Sequence, residues 1–300
     1  MSLSHDKILM DRRTALGALA AGATALLTDQ LGTAAQGKVV PAKPFPFKLG
    51  LQSYSFNKLS FEDALAKTKS LGIRWWEGFP GHVPMTEDAG KIADYQKAFQ
   101  AHDVKMISYG VIDFSTDEAD ARRKFQFAKA MGIGTLTASP TVDSLPMLDK
   151  LTTEYGVNIG IHNHGPDDAR WGDWQTILSA EKDFNPRVGA CDDIGHYLMA
   201  DKNPITAAVQ FGPRLHSIHL KNVGVGPNHT KHFEPIGITG GLFDVVQLLR
   251  FLKEKNYRGI MAIEEEEEPD NPMPGVSKSV EAMRRFINTV NNVALMTRPS

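Results

Sequence analysis

The chain of 300 residues contains a single cysteine, Cys191. That excludes a disulfide framework and a thiolate zinc cage, so any metal site must draw on His, Asp and Glu. Charge of one sign is also missing: 33 Lys and Arg face 35 Asp and Glu, for a formal net charge of -2 and a pI near 6.6. No global field steers such a chain toward nucleic acid or an anionic membrane surface. No apolar run is long enough for a comfortable membrane span. No Gly-x-Gly-x-x-Gly follows the first β-like segment, which argues against an open dinucleotide-binding sheet. What is present is an ordinary globular composition, 42% hydrophobic and 23% charged, which points to chemistry on small molecules.

At the N-terminus, Arg12 and Arg13 precede an apolar, Ala-rich run from Ala15 to Leu27 and a small-residue stretch near Thr33, Ala34 and Ala35. That order resembles a twin-arginine export signal, so residues 1–40 are expected to be signal and linker, and the product periplasmic or otherwise exported. Residues 41–300 are then the catalytic domain.

Within it, eight short β-like runs alternate with segments of helical periodicity. They are KLGLQSYSF, RWWEGF, VKMISYGV, GTLTASP, NIGIHNHG, RVGACDD, LHSIHLKN and GIMAIEEE. Between them lie SFEDALAKTKSLG, opened by a Ser60 cap, DEADARRKFQFAKAMG, closed by Gly132, and GLFDVVQLLRFLKEKNY, with a last helix near 277–294. Eight βα units in roughly 250 residues predict a single (β/α)8 TIM barrel of the α/β class.

In a barrel, alternate strand residues face the axis. Sending Ile159, Ile161, Val188, Ala190, Ile218, Leu220, Met261 and Ile263 outward turns His162, His164, Cys191, Asp193, Ser217, His219, Lys221, Glu264 and Glu266 inward, and Asp192 away. Four consecutive strands thus deliver imidazole or carboxylate groups at their C-terminal ends, where such barrels build their sites. The convergent set His162, Asp193, His219 and Glu264 suits a divalent cation such as Mn2+, Co2+ or Zn2+. Parity alone leaves Glu264 and Glu266 as alternatives.

The segments DIGHYLMAD and SIHLKNV and the Glu closing the eighth strand resemble motifs of the xylose isomerase-like TIM barrel superfamily of sugar isomerases and epimerases, over nearly the whole mature chain. The resemblance implies metal ligation by Asp193, His219 and Glu264, and substrate contact by His196 and Lys221. One departure stands out: where the sugar epimerases carry a Glu in a segment like I-E-N-H, this chain has His162 in IHNHG. The metal can survive on an imidazole, but an opposed pair of acid/base carboxylates is lost. The implied reaction is isomerisation or epimerisation of an unphosphorylated sugar through an enediolate, with His164 or His196 as general base and Lys221 on a substrate oxygen. A 3-keto-glycoside lyase, an inosose-type dehydratase and a non-catalytic sugar-binding protein are the alternatives. The assembly state is left open.

Glu77, Tyr54 and Trp75 are expected to contact the substrate, the aromatics by stacking on a sugar face beside Trp76 and Phe79. His82 follows Glu77 in its loop. The later stretch NHTKHFEPIGITGGLFD reads as a turn resembling the superfamily's P-x-G-x-G, with His229 and His232 at the mouth or in water.

Overall fold

The computed structural model describes residues 47–296. The export-signal reading falls on residues outside this range. Ten strands are present among the described residues: β1 (Lys48–Gln52), β2 (Trp75–Gly78), β3 (Lys105–Phe114), β4 (Thr135–Pro140), β5 (Asn158–His162), β6 (Val188–Asp193), β7 (Leu215–Leu220), β8 (Asn222–Val225), β9 (Lys231–Glu234) and β10 (Ile260–Ile263). Nine helices accompany them: α1 (Phe61–Ser70), α2 (Ala89–Ala101), α3 (Glu118–Met131), α4 (Leu145–Tyr155), α5 (Trp174–Glu181), α6 (Ile194–Met199), α7 (Pro204–Phe211), α8 (Val245–Glu254) and α9 (Met273–Met296). Strands β1 to β7 and β10 close a barrel in the order β1-β10-β7-β6-β5-β4-β3-β2, every pair parallel. The eight expected strands are these eight, and the fold is the (β/α)8 barrel that their spacing predicted.

Local chemistry explains most boundaries. Ser60 caps α1 by accepting from the Asp63 N–H, and Asp117 does the same for Asp120 at the start of α3. Gly132 ends α3 at φ 71°, a left-handed conformation that costs glycine little. Apolar alternation sets the barrel's outer face: Ile159, Ile161, Val188, Ala190, Ile218, Leu220 and Met261 are all buried against the helices, together with Trp76, Leu65, Leu148, Leu248 and Met283. Trp76 also donates its indole N–H to Thr68 Oγ1 at 3.2 Å, tying β2 to α1.

One local expectation is corrected and one element is added. GIMAIEEE does not run as a strand to Glu266: β10 ends at Ile263, and only one further ladder bond, Glu264 N–H to Leu220 carbonyl at 3.1 Å, extends the pairing. The stretch resembling P-x-G-x-G does turn, over 236–240 with Gly237 and Gly240 at positive φ, but ahead of it lies an unforeseen strand, β9, which pairs antiparallel with β8 as a hairpin between the seventh and eighth barrel strands. A four-residue strand, KHFE, carries too little alternation to be recognised beside the Gly-rich segment that follows it.

Candidate active site

His162 and Asp193 end β5 and β6, His219 lies within β7, and Glu264 directly follows β10, so the barrel brings all four expected donors together. His162 Nε2 is 3.1 Å from His219 Nδ1 and 3.3 Å from Asp193 Oδ2. His219 Nδ1 is 3.5 Å from Asp193 Oδ2 and 3.0 Å from Glu264 Oε2. Ligand atoms about 2.0–2.2 Å from one ion are separated by roughly 3.0–3.5 Å, the spacing that His219 Nδ1 shows to each of the other three and His162 Nε2 to Asp193 Oδ2. Glu264 Oε2 is buried close to two nitrogens, yet makes a well-aligned hydrogen bond to neither. A buried orphan oxygen of this kind is one that a divalent cation would satisfy. Asp193, His219 and Glu264 form one candidate metal group, and His162, Cys191 and His219 a second that overlaps it. Cys191 was excluded as a metal-site builder by its solitude in the sequence; its thiol nevertheless lies under the two imidazoles, kept protonated by burial.

Beneath the donors lies a layer of hydrogen bonds. Glu77 Oε1 accepts from His219 Nε2 at 2.7 Å and from Gln52 Nε2 at 2.9 Å, and Glu77 Oε2 accepts from Thr137 Oγ1 at 3.0 Å. A carboxylate on one imidazole nitrogen is the usual way to aim the other at a metal. Burial opposes a charge on His219, but the carboxylates of Glu77 and Glu264 around it raise its pKa well above the ordinary value. The expected substrate contact by Glu77 is therefore corrected: the side chain is fully buried below the site and positions His219. Asn163, which the sequence reading passed over, locks β5 to β6 by accepting from the Asp193 N–H at 2.8 Å and donating to the Asp193 carbonyl at 3.0 Å. Asn163→Ala should cost about 1–3 kcal/mol by leaving that buried N–H unpaired, measurable by urea denaturation.

Above the donors stand the expected catalytic groups. Lys221 Nζ is buried and lies 2.8 Å from Asp193 Oδ2, 2.9 Å from Glu264 Oε2 and 3.0 Å from Glu266 Oε1. Burial alone would lower its pKa; Asp193, Glu264 and Glu266 hold it well above the usual ammonium value. His196 opens onto the same group, 3.5 Å from Lys221 Nζ, and burial pushes its pKa down to about 4. Burial likewise takes His162 down to about 3, so both rings are neutral at pH 7. His164 is exposed, its ring 4.4 Å from that of His162 and 5.3 Å from that of His196. Phe233, from the unexpected hairpin, packs edge-on against His196 at 5.5 Å and faces Lys221.

The remaining expectations separate. Tyr54 follows β1 at the barrel's C-terminal end, 37% exposed and edge-on to Phe79. Trp75 is corrected: it begins β2, pairs with Lys105 at the start of β3 and lies under the Lys48 ammonium, at the N-terminal end of the barrel. Its parity matches that of Glu77, but it sits one pair lower. His82 bonds Ser53 Oγ and the Phe56 carbonyl, each at 3.1 Å, and anchors the loop. His229 and His232 face solvent. A cavity of about 810 Å³ opens at the opposite barrel end, lined in part by Thr135, Asn158, Leu215 and His216, and holds none of the donors.

Barrel and site together define a (β/α)8 protein presenting an imidazole–carboxylate donor set at its C-terminal strand ends. The chain belongs to the xylose isomerase-like TIM barrel family, whose model matches residues 65–286. No curated protein matches it in sequence. Among solved structures it is similar to an uncharacterised protein from Parabacteroides distasonis ATCC 8503 (22% identity, TM-score 0.62, covering 80% of this chain and 99% of that one). It is also similar to a D-tagatose 3-epimerase-like protein (17%, TM-score 0.65, 83% and 100%) and to the IOLI protein with a binding zinc atom (16%, TM-score 0.63, 82% and 99%). At these identities the likeness is one of fold.

Proposed function

We propose that this protein is a divalent-metal-dependent isomerase or epimerase of an unphosphorylated ketosugar, exported by the signal that Arg12 and Arg13 introduce. One observation carries the reading: His219 Nδ1, aimed by Glu77, stands 3.1, 3.5 and 3.0 Å from donor atoms of His162, Asp193 and Glu264, the spacing of a coordination shell. Solved relatives described as an epimerase-like protein and as a zinc-bound protein support it. When bound at His162, Asp193, His219 and Glu264, a cation such as Mn2+, Co2+ or Zn2+ supplies Lewis-acid polarisation of a sugar carbonyl. The protein's own part is proton transfer. His196, neutral at working pH, or His164 accepts the proton from the carbon between carbonyl and hydroxyl. Protonation of the opposite face by water gives the epimer, and returning the abstracted proton to the neighbouring carbon gives the isomer. Lys221 donates a hydrogen bond to the substrate oxygen on which charge develops. Tyr54 and Phe233 offer apolar faces to the sugar ring.

The replacement of an acidic ligand by His162 favours a second reading, a lyase of 3-keto-glycosides, because β-elimination requires only one base on one face. Elemental analysis of the purified protein, followed by incubation with ketosugars and 3-keto-glycosides in deuterated water, tests both. About one equivalent of transition metal and deuterium incorporated at a carbon beside the carbonyl support the isomerase. Release of the aglycone selects the lyase. Sugar binding with no exchange and no cleavage would reduce the protein to a binding module.

A further inference from the structure

We propose that the Lys221 ammonium and the divalent cation share one pair of carboxylate oxygens, and that Glu266 is the positioning residue that retains the ammonium when the cation is bound. The inference rests on the metal-site reading above. Asp193 Oδ2 and Glu264 Oε2, which approach His219 Nδ1 to 3.5 and 3.0 Å, are the same oxygens that Lys221 Nζ approaches to 2.8 and 2.9 Å. Two cations on the same two oxygens repel each other strongly in a dry site. Glu266 is the only one of the three carboxylates around Nζ that stands outside the donor set: its Oε1 meets Lys221 at 3.0 Å.

Charge balance follows the same division: Asp193 and Glu264 match a doubly charged ion, and Glu266 matches Lys221. Without Glu266, the ammonium has only the ligand oxygens to rest on. Glu266 thus governs how readily a divalent cation enters, with no ligand bond of its own.

Isothermal titration with Mn2+ and with Zn2+ alone, on the full chain, tests this. Glu266→Gln should bind each ion about 10- to 100-fold more weakly than the parent, the usual effect of losing a group that supports a ligand. Glu266→Asp should remain within a few-fold, and adding Lys221→Met to Glu266→Gln should restore most of the loss, because the competing charge is gone. Parent-like affinity in Glu266→Gln, or no recovery in a folded double variant, overturns the proposal. If the double variant does not fold, the Gln-against-Asp comparison decides: equal affinities overturn it. A parent that binds neither ion refutes the metal site itself, whereas a parent that binds while Glu266→Gln is unaffected refutes only the role of Glu266.

Discussion

Asp193→Ala should abolish divalent-cation binding and destabilise the protein by about 3–5 kcal/mol, the usual cost of removing one partner from a buried ion pair. Asp193 is fully buried and serves three ends at once. Its Oδ2 lies 2.8 Å from Lys221 Nζ and 3.3 Å from His162 Nε2, and its Oδ1 accepts from the His196 N–H at 3.0 Å, capping α6. Removing it leaves an ammonium with fewer counter-charges, an open helix end and a donor set short of one oxygen. Burial works against its charge, yet Lys221 and His196 hold its pKa well below the ordinary carboxylate value, so the lost group is an anion at every working pH. Asp193→Asn separates these roles. Asn caps helices well and should recover roughly 1 kcal/mol of stability relative to Ala, while metal binding stays lost for want of the charge. Denaturant unfolding and metal content, measured on both variants, check the pair; retention of metal in Asp193→Ala would remove Asp193 from the donor set.

The second large effect is expected far from the site. Glu181, on α5, is buried with neither carboxylate oxygen partnered among the described residues, and burial pushes its pKa up to about 8 against a smaller opposing pull from Arg214. The folded protein therefore keeps this proton up to about pH 8, whereas the unfolded chain releases it near its ordinary value of 4.5. Between those two values the native state binds more protons than the unfolded state, so this residue makes stability fall as pH rises from 4.5 toward 8. Glu181→Gln removes the titration. The variant should be more stable than the parent by roughly 2–4 kcal/mol at pH 8, and the advantage should shrink to under about 1 kcal/mol near pH 5. Unfolding curves at the two pH values test it: an advantage of equal size at both would mean that the gain is one of packing, with no part for the proton.

Much of the fold was legible because it rests on short-range periodicity. Apolar residues every second position marked the outward faces of β5, β6, β7 and β10, and the same alternation turned His162, Asp193 and His219 toward the axis. Asp192 was read as facing away; it neighbours Asp193 on β6, is buried, and neither of its oxygens has a hydrogen-bond partner among the described residues. The family resemblance named in the sequence is confirmed by the matching family model.

The misplacement of Trp75 and Glu77 has one physical cause, height along the barrel axis. Parity says which face a residue takes but not how far along the axis it sits, and that distance depends on the register between strands remote in sequence. Trp75 and Glu77 have the same parity; pairing with β1 and β3 puts Trp75 at the N-terminal end and Glu77 under His219. Cys191, expected to be irrelevant to metal, lies in register with His162 on the neighbouring strand. Asn163 gave no signal because its bonds are to the backbone of another strand.

By itself, the amino-acid sequence determined the eight-strand barrel, its outward core and the end at which its imidazole and carboxylate groups gather, since alternation and capping act over a few neighbouring residues. Only the tertiary structure decided that Glu77 aims His219, that Lys221 rests on the ligand oxygens and that Glu266 stands beside it, because contacts between residues 28 to 142 positions apart depend on the closed register of the barrel.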